Sequence, residues 1–168
     1  MVELLLSNNA DPSIATESGT TAYTIARDSK RLVNAHIILE AIAIRGIYND
    51  DANLILNSIK EGAYVNIRTG GGWNPLIWAS ANGNAEVAAE LLRLGANTNH
   101  VENEGWSPLH FAAFNGHTDI AKLLLASSDT DAQIRNSADR TARDLATEFP
   151  EIVTAIDEFV ASHQAQDL

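Results

Sequence analysis

The chain has 168 residues, 45% of them hydrophobic and 20% charged, so it is long enough and apolar enough to fold around a core. Its 22 acidic and 11 basic residues give a formal net charge of −11, which repels phosphate and argues against nucleic acid and anionic membranes as partners. It contains no cysteine, which excludes disulfides, thiolate metal sites and a cysteine nucleophile. The protein is expected to be intracellular, in the cytoplasm or the nucleus. If it is a secreted effector, the cell is that of the host.

The first predicted element is incomplete. Val2–Leu6 is an apolar cluster that is too short for a signal peptide or a membrane span, and it predicts the end of a helix whose partner is missing. The chain is therefore expected either to be a piece of a longer protein or to be capped at this end in another way. Asn9-Ala10-Asp11 then leads through a predicted hairpin to Gly19-Thr20-Thr21-Ala22.

Leu32–Arg45 is rich in apolar residues throughout, which predicts a continuous helix where a repeat protein would have a hairpin. Two structures fit the pattern. The segment is either one long helix, or the second (outer) helix of one repeat that runs straight into the first (inner) helix of the next. Gly46 is expected to close this segment, and Asp50-Asp51 to begin a helix at Ala52–Lys60. If Gly46 ends the helix, the segment from Gly46 to Gly62 is four residues longer than the corresponding segment farther along the chain, from Gly83 to Gly95.

An internal repeat is the clearest feature of the chain. A shift of 33 residues aligns Gly62–Leu94 with Gly95–Ser127 without a gap, and thirteen aligned pairs are identical. In each copy a proline suits the first turn of a helix, and an Asn-Gly pair ends that helix. A second helix follows, with one apolar face made by Val87, Leu91, Leu92 and Leu94, and then by Ile120, Leu124 and Leu125.

Ser107-Pro108-Leu109-His110, followed by Ala112-Ala113 and Gly116-His117, resembles the helix-opening signature of the ankyrin-repeat family, and Asn74-Pro75-Leu76-Ile77 is a looser copy. The resemblance implies an all-α repeat solenoid of helix–turn–helix units with β-hairpin or loop fingers, in about four to five repeats, some incomplete. It implies that His110 and His117 tie helix ends to neighbouring backbone. The framework positions it assigns are Pro75, Leu76, Gly83, Pro108, Leu109, His110, Gly116 and His117.

A single ankyrin-repeat domain is expected over residues 1–168. Its predicted parts are a partial repeat (1–17), an irregular repeat without its hairpin (18–50), an outer helix and hairpin (51–66), two repeats (67–99 and 100–133), a capping repeat (134–162) and a tail (163–168). The last loop, Ser128–Arg140, is one residue longer than its counterpart and has no glycine. Phe149-Pro150-Glu151 is expected to start a final helix that turns Ile152, Val153, Ile156, Phe159 and Val160 inward.

The sequence does not predict a catalytic or metal site. The five histidines include no His-Glu-x-x-His pattern, and Gly70-Gly71-Gly72 lacks the Lys-Ser/Thr of a phosphate loop, so it is interpreted as a flexible hairpin tip. Carboxylates such as Glu102 and Glu104 are expected on solvated faces rather than in an acid/base pair. The protein is therefore expected to be no enzyme and to use no cofactor.

The positions that vary within the family are the finger tip, the residue before the Ser/Thr-Pro turn and the two residues before the helix-ending glycine. The resemblance implies that they face a partner, and large aromatic side chains dominate such interfaces. The residues expected to bind are Trp73, Trp106, Phe114, Asn82, Asn115, Asn103 and Glu104. Trp78 and Phe111 also lie 33 residues apart, and both are expected to pack in the core.

The predicted function is that of a non-catalytic protein–protein interaction module, which binds through its concave face and hairpin tips a partner with a basic or mixed basic and apolar surface. One alternative is a regulatory or targeting domain of a larger enzyme, channel or secreted effector whose catalytic part lies outside this chain. Another is self-association through the N-terminal apolar face of Val2–Leu6. A further hypothesis is hydroxylation of Asn66 or Asn99, which occupy a position modified in some ankyrin repeats.

Overall fold

The structure is a computed structural model that describes residues 11–12 and 14–164. Its helices are α1 (Ala22–Asp28), α2 (Leu32–Asn49), α3 (Ala52–Lys60), α4 (Pro75–Asn82), α5 (Ala85–Arg93), α6 (Pro108–Asn115), α7 (Thr118–Leu125), α8 (Ala142–Leu145) and α9 (Pro150–Gln164). Within that part of the chain the β-type pairing is one isolated bridge between Ala15 and Thr21, so the all-α prediction is confirmed. The chain divides into two compact units, one ending at Ile67 and the other beginning at Arg68.

In the first unit α2 packs against both α1 and α3. The N-terminus of α1 has a reciprocal cap, in which the Thr21 hydroxyl accepts from the N–H of Thr24 while the Thr24 hydroxyl accepts from the N–H of Thr21. The 18 residues of α2 form one uninterrupted helix, so the first of the two predicted alternatives is correct and, as predicted, no hairpin interrupts this segment.

The prediction that Gly46 closes this helix is wrong. The helix continues to Asn49 and ends at Asp50, whose φ of 58° is left-handed, a conformation that aspartate tolerates better than most residues. Asp50 precedes Gly62 by twelve residues, as Gly83 precedes Gly95, so the four extra residues counted from Gly46 are no insertion. The 33-residue register therefore extends back to residue 50. The predicted start of α3 is confirmed, since the Asp51 carboxylate caps it.

The second unit consists of two stacked rows of helices. In one row α4 packs on α6 and α6 on α8, while in the other α5 packs on α7 and α7 on α9. Gly83 and Gly116 end α4 and α6 with φ values of 74° and 73°, as the Asn-Gly pattern predicts. Between the rows lie fully buried apolar side chains, among them Leu76, Leu91, Leu109, Leu124 and Ile152.

Each finger that the structure describes is a tight five-residue turn, here called a finger turn. The N–H of its first residue donates to the carbonyl oxygen of its fifth, and the N–H of its fourth donates to the carbonyl oxygen of its first. The four finger turns are Thr16–Thr20, Thr69–Trp73, Glu102–Trp106 and Asn136–Arg140. In all four, a side-chain oxygen of the first residue also accepts from the N–H of the fifth. The fourth residue is left-handed and is Gly19, Gly72, Gly105 or Asp139.

The C-terminal helix α9 has the predicted faces in part, since Val153, Phe159 and Val160 are only half-buried. Ile152 and Ile156 are buried, while Asp157 and Glu158 are exposed. The helix continues through Gln164, so the first two residues of the predicted tail are helical. The N-terminal predictions at Val2–Leu6 and Asn9-Ala10, and the last four residues of the tail, lie outside the described residues. No helix of the described chain is both long enough and apolar enough to cross a membrane.

Candidate functional site

Four aromatic side chains lie side by side in the second unit, in the order Trp73, Phe111, Trp106 and Phe114, and are here called the aromatic row. The ring centroids are 4.9 Å apart for Trp73 and Phe111 and 5.1 Å apart for Phe111 and Trp106, with tilted planes. Phe114 meets Trp106 edge-on at 5.4 Å. Tilted and edge-on contacts are the arrangements that aromatic quadrupoles favour, so the row is a continuous packed surface.

Two kinds of element position the row. Trp73 and Trp106 are the fifth residues of consecutive finger turns, in which both backbone polar groups of each tryptophan are bonded. Phe111 and Phe114 stand three residues apart on α6 and therefore share a helix face. None of the four side chains is fully buried, and Phe114 is 54% exposed.

The structure separates two residues that the sequence placed together in the core. Trp78 is 2% exposed, so the prediction of core packing is confirmed for it. Phe111 is only half-buried and bridges the two tryptophans, so the prediction is wrong for it. The sequence could have indicated that Phe111 belongs with Phe114, because residues at i and i+3 on one helix lie on the same face.

The polar residues predicted to bind are exposed and lie next to members of the row in the chain. Asn103 and Glu104 form the tip of the finger turn that Trp106 ends, and Asn115 follows Phe114. Asn103 and Asn115 also bridge repeats, since their side-chain amides donate to the carbonyl oxygens of Gly70 (3.3 Å) and Ala81 (3.0 Å). Asn82 is exposed at the end of α4.

Glu102 is not on a solvated face, contrary to the sequence-based expectation. Its side chain is buried, and Oε1 accepts hydrogen bonds from the backbone N–H groups of Glu104 (2.9 Å) and Trp106 (3.0 Å). The carboxylate therefore holds the finger turn in shape and fixes the backbone from which the Trp106 ring projects.

His110 and His117 each contact a backbone carbonyl of another repeat. His110 is 1% exposed, and its Nε2 donates to the carbonyl oxygen of Arg140 at 3.0 Å while Nδ1 accepts from the N–H of Ser107. Burial lowers the pKa of His110, which keeps the ring neutral. His117 donates from Nε2 to the carbonyl oxygen of Ala81 at 3.2 Å, and its ring lies against Gly83.

The described residues hold no group of three histidines or carboxylates that could bind a metal ion. A cavity of about 570 Å³ lies between α5 and α7 and includes no member of the aromatic row. Asn99 spans the same two repeats, since its amide donates to the carbonyl oxygen of Asp129 and accepts from the N–H of Asp131. Hydroxylation of Asn66 or Asn99 stays a prediction.

Comparison with known protein families matches residues 41–136 to ankyrin repeats in three copies. Because the match covers more than half of the chain, this protein belongs to the ankyrin-repeat family. Ankyrin repeats generally mediate protein–protein interaction, and domains built from them are typically non-catalytic. Comparison with curated proteins finds no match.

Proposed function

We propose that this protein is a non-catalytic protein–protein interaction module whose aromatic row and neighbouring finger tips bind the partner. The observation that carries the proposal is the contiguity of four aromatic side chains, none of them fully buried. Contiguous exposed apolar surface marks interaction sites, and tryptophan is the residue most enriched among interface hot spots.

The finger turns are ordered before any partner arrives. The N–H of Asn103 donates to the carbonyl oxygen of Gly71, and the N–H of Ser137 donates to that of Glu104, so consecutive fingers are bonded to each other. A surface that is rigid in the free protein loses little conformational entropy on binding. This supports recognition by the row as it stands, without refolding of the fingers.

The charge of the protein supports a partner with a basic or mixed basic and apolar surface. The net charge is −11, and the exposed Glu104 lies two residues from Trp106. Carboxylates around an apolar centre raise the association rate of a basic partner and disfavour acidic ones. Asn82, Asn103 and Asn115 would supply polar contacts at the rim.

A regulatory or targeting role within a larger enzyme, channel or secreted effector would use the same surface, and the same variants test it. The division of the chain into the repeats proposed from the sequence stays a prediction. So does an intracellular location, which cell fractionation with an antibody against this chain would test.

The experiment is affinity capture from an extract of the native cells with the wild type and with the double variant W73A/W106A. The double variant should remain helical by circular dichroism and bind the captured partner at least about thirtyfold more weakly, the loss expected for hot-spot aromatics. Tyr64→Ala is the matched control, because Tyr64 is as exposed as Phe114 but lies outside the row, and it should bind normally. A folded double variant with unchanged affinity would refute the proposal.

A further inference from the structure

We infer that the aromatic row binds an extended, proline-rich segment of its partner that carries a lysine or arginine. The inference rests on the proposed function and names the chemistry of the partner at that surface. Proline-rich segments dock against aromatic side chains in several unrelated domains.

The backbone around the row excludes strand addition. An added strand needs free N–H and C=O groups on the surface that receives it. Both backbone groups of Trp73 and of Trp106 are already bonded within their finger turns, to Thr69 and Glu102 respectively. The backbone of the bound segment must therefore be solvated, as in polyproline II, or bonded within itself, as in an α-helix.

The indole groups of Trp73 and Trp106 favour a bound segment in polyproline II over one in an α-helix. Neither the indole N–H of Trp73 nor that of Trp106 has a hydrogen-bond partner within the described protein, and neither is a buried unpaired donor as that of Trp78 is. Two accessible donors in one apolar row suit a ligand that offers backbone carbonyl oxygens. A polyproline II segment exposes all its carbonyls, whereas most carbonyls of a helix are bonded internally.

The shape of the row favours a chain laid along it. Neighbouring centroids 4.9 to 5.4 Å apart mean that the rings contact one another and leave no slot between them for a cation or a small molecule. The compact pyrrolidine rings of proline can pack face-on against such a shallow surface. Because polyproline II is largely formed before binding, its ordering costs little entropy.

An exposed carboxylate beside the row offers a partner for the basic residue of the segment. Glu104 is exposed at the tip of the finger turn that Trp106 ends, and no basic side chain of the described protein forms an ion pair with it. Arg140 is the fifth residue of the next finger turn and so takes the place that Trp73 and Trp106 hold in theirs. A cation next to Arg140 would be repelled, so the basic residue of the segment is placed at the finger tip, beside the Glu104 carboxylate.

Titration of the full chain with two synthetic peptides tests the inference, with tryptophan fluorescence as the readout. The first peptide repeats Pro-Pro-Leu and carries two arginines at one end, and the second has alanine in place of every proline. The first should bind saturably, and the second at least about tenfold more weakly because it must order its backbone on binding. Glu104→Arg should weaken the first peptide about tenfold, and Glu158→Arg, the same change on α9, should leave its affinity unchanged.

Each other outcome overturns the inference in a distinguishable way. Equal or tighter binding of the alanine peptide would show a helical occupant and leave the interaction surface intact. Equal binding to Glu104→Arg would show that the basic residue has another partner. If neither peptide binds while W73A/W106A still loses its cellular partner, the proline-rich segment is wrong and the proposed function stands. If that double variant keeps its partner, the proposed function itself fails.

Discussion

Gly46 lies so close to Ile55 that a Cβ atom at residue 46 would be 2.8 Å from Cγ1 of Ile55. The same atom would be 3.0 Å from two backbone atoms, the carbonyl oxygen of Asp51 and the nitrogen of Ile55. The glycine therefore permits the close packing of α2 on α3, and this explains a residue of poor helix propensity inside a long helix.

Gly46→Ala is expected to lower the free energy of unfolding by about 2 kcal/mol, although alanine gains about 1 kcal/mol of helix propensity. Backbone atoms cannot turn aside as a flexible side chain can, so the helices must separate. Urea unfolding measures the loss. Gly70→Ala is the control, because a Cβ there meets open space. Wild-type stability in Gly46→Ala would show that α2 and α3 are less tightly packed than described.

The last finger turn carries Asp139 where the other three have glycine. Its φ is 57°, a left-handed conformation that costs a side chain more than it costs glycine. Asp139→Gly should therefore raise the free energy of unfolding by about 0.5 kcal/mol, even though glycine adds entropy to the unfolded chain. The variant also loses the ion pair between Asp139 and Arg135, but this pair is exposed and contributes little to stability.

The reverse change can be made at Gly105, which is the fourth residue of its finger turn as Asp139 is of the last one. Gly105→Asp should destabilise the protein by about 2 kcal/mol, because a Cβ there would also lie 3.1 Å from the Cα of Asn136. Thermal unfolding of the two variants should show shifts of opposite sign. Shifts of the same sign would disprove the equivalence of the two turns.

The buried His110 makes stability depend on pH. Burial lowers its pKa, so the folded state binds the proton less readily than the unfolded state, in which the pKa has its usual value of about 6.5. The stability it contributes is therefore complete above that value and is lost as the pH falls below it. Unfolding midpoints measured between pH 7.5 and pH 5 should decrease, and in His110→Gln the decrease should be smaller.

The pH range separates this effect from that of the carboxyl groups whose pKa values are shifted. Backbone hydrogen bonds from Thr141 lower the pKa of Asp144, and hydrogen bonds from Arg143 lower that of Asp157, but their contributions are lost only below the usual carboxyl pKa of about 3.9. An unchanged slope in His110→Gln would contradict the assignment to the buried ring.

Phe111→Ala should expose both indoles of the aromatic row. Its ring contacts Trp73 and Trp106, whereas Phe114 contacts Trp106. The emission of Phe111→Ala should therefore shift further to the red, and acrylamide should quench it more strongly, than in Phe114→Ala. Trp78 remains buried in both variants and contributes a constant background. Equal shifts would mean that Phe111 does not bridge the tryptophans.

The repeat, its family and the helix boundaries of residues 62–127 follow from the sequence alone. Prolines at first turns and Asn-Gly pairs at helix ends act through local backbone sterics, which do not depend on the rest of the fold. The same sterics do not apply at residue 46, because glycine terminates a helix only where the backbone turns left-handed. There the decisive residue was Asp50.

Only the tertiary structure decided the make-up of the aromatic row. The 33-residue shift pairs Trp78 with Phe111, yet one is buried and the other lies between two tryptophans, because the finger turns carry Trp73 and Trp106 across the chain to α6. The burial of Glu102 has a similar origin, since its oxygen bonds backbone N–H groups that come together only when the turn closes. Local pattern determined the elements of this protein, whereas contacts between elements that are distant in sequence decided which side chains remain available to a partner.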